Sequence, residues 1–309
     1  MARTKSSPEK DTSLDFKKFV CMYCKSKKVI KWGTRKTKNR GSIQRFCCRD
    51  CGRKFTLDSG FYRMRNSEKK ITLCLDLFYR GISTRKIQEH LQAFHPENSS
   101  WVSIYSWIVK YSKMIYKFVD KLNVKTGEEL MSDEMEYHRL GKQNWFVDVI
   151  DTKSRYIVSS EYMRSRTFFD MKSVMKKAKK KTGIQIKTVT TDGLNCYPRV
   201  LRNTFGLHKR PRATKITHNV VIASERGFNH KIERLHNSVR ERTKTMRGFH
   251  GCIGSARAIM EGYVIFYNFI RKHQALGKTP SEIAIPHLNL GVNKWLDLIY
   301  ISKKGKSLK

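Results

Sequence analysis

The pattern of apolar and polar positions changes along the chain and divides it into regions. Residues 1–18 are polar and charged without periodicity, which predicts a flexible basic arm. Residues 19–62 are dense in Cys, Gly, Lys and Arg, and residues 63–125 carry apolar side chains at helical spacing. Strand-like alternation begins near Leu130 and continues in a region that we extend over 126–286, followed by a basic tail over 287–309.

The helical region predicts three helices. Ile71, Leu75 and Phe78 recur at helical spacing until Gly81, which ends the first helix. Ser83 begins a second helix over 84–91, and a third amphipathic segment follows the loop over 93–100.

The last large region predicts an α/β sheet domain. Segments 129–140, 144–151 and 155–163 alternate between apolar and polar residues and are separated by turn residues, as in an antiparallel meander. The following elements are predicted to be helix, strand, helix, strand and helix, over 167–181, 186–193, 197–205, 215–221 and 229–246. By analogy of topology, this order matches the ribonuclease-H-like fold with a mixed sheet.

The charge of the chain narrows the class of partner. Lys and Arg number 64 against 26 Asp and Glu, a surplus of 64 − 26 = +38, with a pI of about 10.1. Such a surplus predicts a polyanion partner, and nucleic acid is favoured over a membrane surface because the bases are spread from Arg3 to Lys309. The sequence has no apolar segment of roughly 20 residues and no apolar signal core, so we expect a soluble, cytoplasmic protein without a membrane partner.

Five of the eight cysteines lie close together and indicate a metal site. Cys21-x-x-Cys24 and Cys48-x-x-Cys51 are two thiolate pairs separated by 23 residues, the spacing of a zinc ribbon with one structural Zn²⁺. Cys47 is an alternative to Cys48, although the pair spacing favours Cys48. The segment between the pairs predicts a hairpin with a basic tip over 38–41.

The helical region also predicts an all-α DNA-binding domain. Residues 81–87 and 103–108 resemble a recombinase-type helix-turn-helix, with 103–110 as the element that enters a major groove. A plain three-helix packing module is the alternative. The candidate DNA-binding residues are Arg85, Lys86, Ser103, Tyr105, Ser106 and Lys110.

Three acids occupy informative positions in the predicted sheet domain. Asp133 lies within the first strand, where an inward carboxylate is costly unless a cation neutralises it. Asp192 ends a strand directly before Gly193, at an edge where α/β sites open. Glu233 lies on the polar face of the last helix, and Arg240 follows two turns later.

Several segments resemble the DDE-type transposases of bacterial and archaeal insertion sequences. They are LMSDEM, TVTTDG, NHKIERLHNSVRERTKTMRGF and EGYVIFYNFIRKHQALGKTPSEIA, and the resemblance extends over about 20–286. It implies that Asp133, Asp192 and Glu233 are catalytic acids that hold two Mg²⁺ (or Mn²⁺) ions, with Arg240 as the basic residue of the family pattern. Other acids compete for these roles: Glu134 and Asp148 for the first, and Glu225 for the third. Glu134 should point to the opposite face of its strand from Asp133.

The resemblance implies a DNA transposase that binds insertion-sequence ends, nicks their 3′ ends and transfers the strands into target DNA. Its partner is double-stranded DNA, and synapsis of two ends implies a homodimer or a larger assembly in a prokaryotic nucleoid. One alternative is a catalytically inactive, transposase-derived, sequence-specific DNA-binding protein. Another is a structure-selective nuclease on the same fold.

Overall fold

A computed structural model describes most of the chain and contains two compact units, Met1–Ser67 and Glu68–Lys309. The predicted arm over 1–18 and the hairpin tip residues 38–40 lie outside the described residues, as does Glu225. The described residues are 20–37, 41–57, 59–62, 64–94, 99–182, 186–206, 215–221, 230–243, 246 and 248–304.

The first unit contains a three-stranded antiparallel sheet in the order β1-β2-β3. Its strands are β1 (Val29–Thr37), β2 (Gly41–Cys48) and β3 (Lys54–Thr56). The first two form the hairpin expected between the cysteine pairs, and β3 is an additional short strand. The core of this unit consists mainly of Cys21, Phe46, Cys48 and Phe55, so few apolar contacts hold it together.

The second unit is built on a five-stranded mixed sheet in the order β6-β5-β4-β7-β8. The three predicted meander strands are antiparallel, while β7 pairs in parallel with both β4 and β8. The mixed α/β core is the one expected of a ribonuclease-H-like domain. The strands are β4 (Glu129–Glu136), β5 (Trp145–Asp151), β6 (Ile157–Met163), β7 (Thr188–Thr191) and β8 (Thr217–Val220).

Helices cover this sheet and extend the unit. Helix α4 packs on β5 and β6, α6 packs on β4, and α7 packs on β6 and on α3. A π-helical segment, Phe266–Ile270, continues α7. The helices are α1 (Glu68–Tyr79), α2 (Thr84–Phe94), α3 (Trp101–Val119), α4 (Phe168–Thr182), α5 (Tyr197–Phe205), α6 (His230–Thr243), α7 (Ile253–Ile265), α8 (Pro280–Ala284) and α9 (Lys294–Lys304).

The three helices before the sheet share a core with the helices that follow it. Tyr79 on α1 is fully buried, and its hydroxyl is hydrogen-bonded to Ser112 on α3 at 2.8 Å. The contact is close because Gly262 on α7 has no side chain: a Cβ there would lie 1.7 Å from the Tyr79 hydroxyl. Regions 63–125 and 126–286, predicted as separate domains, therefore pack as one unit from Glu68 onward.

The predicted basic tail over 287–309 contains a packed helix. Helix α9 lies against α1 and α3, and its Trp295 ring stacks on Tyr79 with centroids 5.4 Å apart. Leu298 and Ile299 are fully buried, and these apolar positions outweigh the basic composition of the segment. Within the part of the chain that the structure describes, no helix has both the length and the hydropathy needed to cross a membrane.

The edge strand β6 is completed by a side chain. The Asn268 amide accepts a hydrogen bond from the Ile157 backbone N–H at 2.9 Å and donates one to the Ile157 carbonyl at 3.0 Å. Asn268 lies in the π-helical segment and is buried, so this pair of bonds attaches the C-terminal helices to the sheet edge.

Candidate active site and metal centres

Strand register brings two of the predicted acids together. Strands β4 and β7 are parallel neighbours, and Met131 pairs with Thr190. Two residues further along each strand lie Asp133 and Asp192, and neighbouring strands are only about 4.8 Å apart. Asp133, Glu134 and Asp192 each offer one carboxylate oxygen, and these three atoms lie within 4.8 Å of one another.

Glu134, an alternative to Asp133 as the first acid, belongs to this group together with Asp133. It alternates with Asp133 along β4, as expected, and shares its face with Ser132, whose hydroxyl is hydrogen-bonded to Tyr197 at 3.1 Å. Its side chain is only 1% exposed, and its Oε1 atom has no hydrogen-bond partner among the described residues. Burial, followed by the charge of Asp192, raises the pKa of Glu134 to about 7.

The backbone after β7 fixes Asp192. The Leu194 N–H donates a hydrogen bond of 3.1 Å to Asp192 Oδ1. Burial raises the pKa of Asp192, and the nearby Asp133 carboxylate raises it further, against the effect of the Leu194 bond. The cluster therefore concentrates negative charge in a partly buried position, which favours a neutralising cation.

A buried histidine connects α6 to the two central strands. His236 Nε2 lies 2.9 Å from Asp148 on β5, and its Nδ1 lies 3.4 Å from Asp133 on β4. Burial opposes the positive charge of His236, but the two carboxylates raise its pKa to about 10. Asp148, an alternative first acid, is fully buried, and its charge is paired with His236.

The structure places Glu233 and Arg240 on α6 as the spacing predicts, but it does not bring Glu233 into the carboxylate group. Glu233 is half-buried in the first turn of the helix, one turn before His236. Within the described part of the chain, the group that could hold a cation here is Asp133, Glu134 and Asp192. Arg240 is exposed and lines a shallow cavity with Tyr137 and Asn237.

The donor set of this cluster suits a hard divalent cation. All three ligands are carboxylates, which Mg²⁺ and Mn²⁺ prefer, and no thiol or imidazole belongs to the group. The Oε1 atom of Glu134, which lacks a hydrogen-bond partner in the described part of the chain, adds a buried acceptor that a cation would satisfy.

The four predicted zinc ligands lie together in the first unit. The Sγ atoms of Cys21 and Cys51 are 3.7 Å apart, and those of Cys24 and Cys48 are 3.5 Å apart. Four sulfurs around one tetrahedral ion with bonds of about 2.3 Å would be separated by nearly this distance. Cys47 is outside the group, because its Sγ faces the carbonyl of Gly52 at 3.6 Å.

The six predicted DNA-binding residues lie on α2 and α3. Arg85 lies over the Trp101 ring at 5.1 Å, while Ser103 belongs to the N-terminal cap of α3 through its bond with Ser100. Ser106 and Lys110 are exposed on α3, opposite its buried apolar face. Tyr105 is half-buried, and Lys86 is exposed on α2. The helix-turn-helix itself stays a prediction.

The region that contains the carboxylate cluster matches a known family. The family model of a DDE domain matches residues 131–274, a segment that includes Asp133, Asp192, Glu233 and Arg240. The resemblance to DDE-type transposases is confirmed. The DDE domain begins within β4 and continues past the π-helical segment.

Solved structures similar to the chain include retroviral integrases. The simian T-cell lymphotropic virus intasome in complex with the PP2A regulatory subunit B56 gamma is 13% identical over 53% of this chain and 56% of that chain, with a TM-score of 0.39. The magnesium-bound catalytic core of HTLV-2 integrase in its trimeric form is 14% identical over 52% of this chain and 98% of that chain, with a TM-score of 0.37. Because these TM-scores are low, the solved structures add no argument. The resemblance to DDE-type transposases rests on the match to the DDE domain. No curated protein shows significant similarity to the chain.

Two further contacts at the site carry no sequence signal. His236 and Asp148 are 88 residues apart, and nothing in either segment predicts their contact. Arg166 lies between β6 and α4, and its guanidinium is 3.7 Å from Glu134. In a chain with 64 basic residues, no pattern distinguishes this arginine from the others.

Proposed function

We propose that this protein is a DNA transposase that binds the ends of a mobile element, nicks their 3′ ends and joins them to target DNA. The observation that carries the proposal is the convergence of Asp133 and Asp192, which have 58 residues between them in sequence, inside a region that matches a DDE domain. Glu233 is the proposed third acid and lies on a helix that packs against β4.

The residues of the proposed site divide between metal binding, orientation of a metal ligand and neutralisation of a phosphate. When bound, a pair of Mg²⁺ ions would activate a water for nicking or a 3′-hydroxyl for joining, and would stabilise the leaving oxygen of the phosphodiester. Asp133 and Asp192 would hold the metal ions, and the His236 contact orients Asp133. Glu233 would complete the ligand set from α6, and Arg240, two turns later, would neutralise a nearby DNA phosphate.

DNA recognition in this proposal belongs to the N-terminal parts of the chain. The four-cysteine cluster would hold one structural Zn²⁺, and the basic hairpin of the first unit would contact the DNA backbone. The exposed face of α3, with Ser106 and Lys110, would read the ends of the element. Synapsis of two ends requires at least two copies of the chain.

A strand-cutting assay tests this function. With DNA from the ends of the element, we expect Mg²⁺-dependent 3′-end nicking followed by joining to a target duplex. Asp192→Ala should bind the ends as well as the parent protein and abolish both reactions. Joining by Asp192→Ala would contradict the proposed site.

The same assay separates the rival functions. A transposase-derived protein that only binds DNA would retain specific binding of the ends and show no Mg²⁺-dependent nicking. A structure-selective nuclease would cut branched DNA without joining it. Short inverted repeats in the DNA that flanks the coding region would identify the substrate for these experiments.

A further inference from the structure

A group of aromatic and basic side chains lies beside the carboxylate cluster, and the proposed chemistry does not use it. Its members come from the β6–α4 connection, from the start of α4 and from α5. We call it the aromatic surface, and it consists of Arg166, Phe168, Phe169, Lys172 and Arg199.

Arg166 marks the end of this surface that is next to the carboxylates. Its guanidinium carbon lies 3.8 Å from the centre of the Trp145 ring, a stacking contact that fixes the orientation of the planar group. The same guanidinium lies 3.7 Å from Glu134, yet the Arg166 side chain is 37% exposed. A fixed, partly exposed guanidinium can bind a phosphate at the rim of the site.

Phe168 continues the surface with a ring between two cations. The Arg199 guanidinium lies 4.6 Å from the ring centre, and the Lys172 ammonium lies 5.3 Å from it. In the described part of the chain, neither cation has an ion pair with an acid, although Lys172 also donates a hydrogen bond of 3.3 Å to Asn203. Because α4 and α5 pack together, these charges belong to one rigid surface.

Phe169 gives the surface an uncovered aromatic face. Its side chain is 78% exposed, and its ring centre is 5.3 Å from that of Phe168. The neighbouring Asp170 carboxylate accepts hydrogen bonds from Ser165 and Thr167 at 2.7 Å each and, in the described part of the chain, forms no ion pair with these cations. One acid therefore stands beside three basic side chains. Exposed aromatic rings beside cations are the features of surfaces that bind single-stranded nucleic acid.

We propose that the aromatic surface binds an unpaired DNA strand next to the phosphodiester at the carboxylate cluster. Arg166, Lys172 and Arg199 contact successive phosphates, and Phe169 stacks on a base. The bound strand is unpaired because Phe169 can stack only on a base with an exposed face. In a duplex, the base faces are covered by the neighbouring base pairs. This inference rests on the proposed function, since it assigns the DNA strand beside the same site.

Binding to labelled oligonucleotides tests the surface separately from catalysis. The full chain is titrated into a fluorescein-labelled thymidine oligonucleotide or a duplex of equal length, without added divalent ion so that neither is cut. We expect Phe169→Ala to weaken binding of the unpaired strand about tenfold, the loss of one stacked base, and to change duplex binding less than twofold. The double variant Lys172→Gln/Arg199→Gln should weaken binding of the unpaired strand by at least as much.

Two controls isolate the effect. Val292→Ala, the control for Phe169→Ala, removes an exposed apolar side chain elsewhere. Lys153→Gln, the control for the double variant, removes an exposed charge just after β5, at the opposite end of that strand from Trp145. Both should bind the unpaired strand like the parent protein. Irradiation of a 5-iododeoxyuridine oligonucleotide should also crosslink it to the peptide that contains Phe169.

The outcomes are decisive in either direction. Parent-level binding by Phe169→Ala, or an equal loss for duplex and unpaired strand, would overturn the proposal. Failure of the proposed function would be distinguishable, because it would appear as an absence of nicking and joining. A protein without nicking activity could still lose binding of the unpaired strand, but not of the duplex, in Phe169→Ala.

Discussion

His236 on α6 is ion-paired with Asp148 on β5 at 2.9 Å, and both side chains are almost completely buried. The other ring nitrogen of His236 lies 3.4 Å from Asp133. Glu233 is one helical turn before His236, so this contact sets where the proposed third acid lies relative to the first.

Replacement of His236 by Gln should destabilise the fold strongly. The change leaves the Asp148 carboxylate buried without a cation, and breaking a buried pair in this way costs about 3–5 kcal/mol. The free energy of unfolding in urea should fall by this amount, whereas the exposed His250→Gln should change it little. The double variant His236→Gln/Asp148→Asn should recover part of the loss. Unchanged stability of His236→Gln would contradict the ion pair.

Glu134 should contribute to metal binding in the absence of DNA. Glu134→Gln keeps the shape of a side chain that is 1% exposed but removes its charge, so Mn²⁺ affinity should fall about tenfold in calorimetric titration. Glu233→Gln should change Mn²⁺ affinity less than twofold, because Glu233 lies outside the group of three carboxylates. Equal losses of Mn²⁺ affinity in the two variants would contradict this prediction, because Glu233 would then bind the ion together with Glu134.

Zinc content should distinguish the two adjacent cysteines. Cys48→Ser removes a sulfur that lies 3.5 Å from that of Cys24, so the protein should lose its zinc and the fold of the first unit. Cys47→Ser should retain one zinc per chain, since its sulfur faces a carbonyl instead. Chromophoric chelator titration measures both. Zinc retained by Cys48→Ser and lost by Cys47→Ser would reverse the assignment.

Glu261 should reduce stability as the pH rises. Burial raises its pKa to about 7, although Lys113 and Arg257 oppose the shift. The folded state therefore binds the proton more tightly than the unfolded state, and the free energy of unfolding falls between about pH 4.5 and pH 7. The charged groups that face Glu261 are Lys113, Lys117, Asp120, Lys121, Lys177 and Arg257.

Glu261→Gln tests this dependence. The variant should match the parent protein at pH 4 and exceed its stability at pH 8, because the amide stays neutral throughout. Glu282→Gln is a control of opposite sign, since a hydrogen bond from Lys294 lowers the pKa of Glu282. A parent-minus-variant difference for Glu261 that does not change with pH would refute the expectation.

Gly262 should tolerate no side chain. A Cβ there would lie 1.7 Å from the Tyr79 hydroxyl and 2.7 Å from Ser112 Oγ, so Gly262→Ala should cost about 3 kcal/mol by overpacking. Gly254→Ala in the same helix is the matched control, because its nearest neighbours are 3.8 Å away. Thermal unfolding compares the two. Similar midpoints would contradict the close contact.

The sequence predicted the elements whose signals are local. The strand that ends at Asp192 and the helix over Tyr197–Phe205 were placed within a few residues, because turn residues and apolar period define them. The strand β3 has only three residues, too few to show a period, so the pattern does not predict it. Helix α9 lies in the segment predicted to be a basic tail, because its lysines obscure the pattern of three buried apolar side chains.

Long-range contacts at the site had no such signal. Alternation along β4 predicts opposite faces for Asp133 and Glu134, yet their carboxylate oxygens lie within 4.8 Å of each other and of Asp192, at the end of β7. The partnership of His236 with Asp148 depends on how α6 crosses the sheet. Neither arrangement can be derived from spacing within one element.

The amide of Asn268 imitates one residue of a sixth strand. Both outward backbone groups of Ile157 are already bonded to it, so a foreign β-segment cannot extend the ladder at this point. A single asparagine thus makes templated addition of a further strand less favourable at this position of the β6 edge.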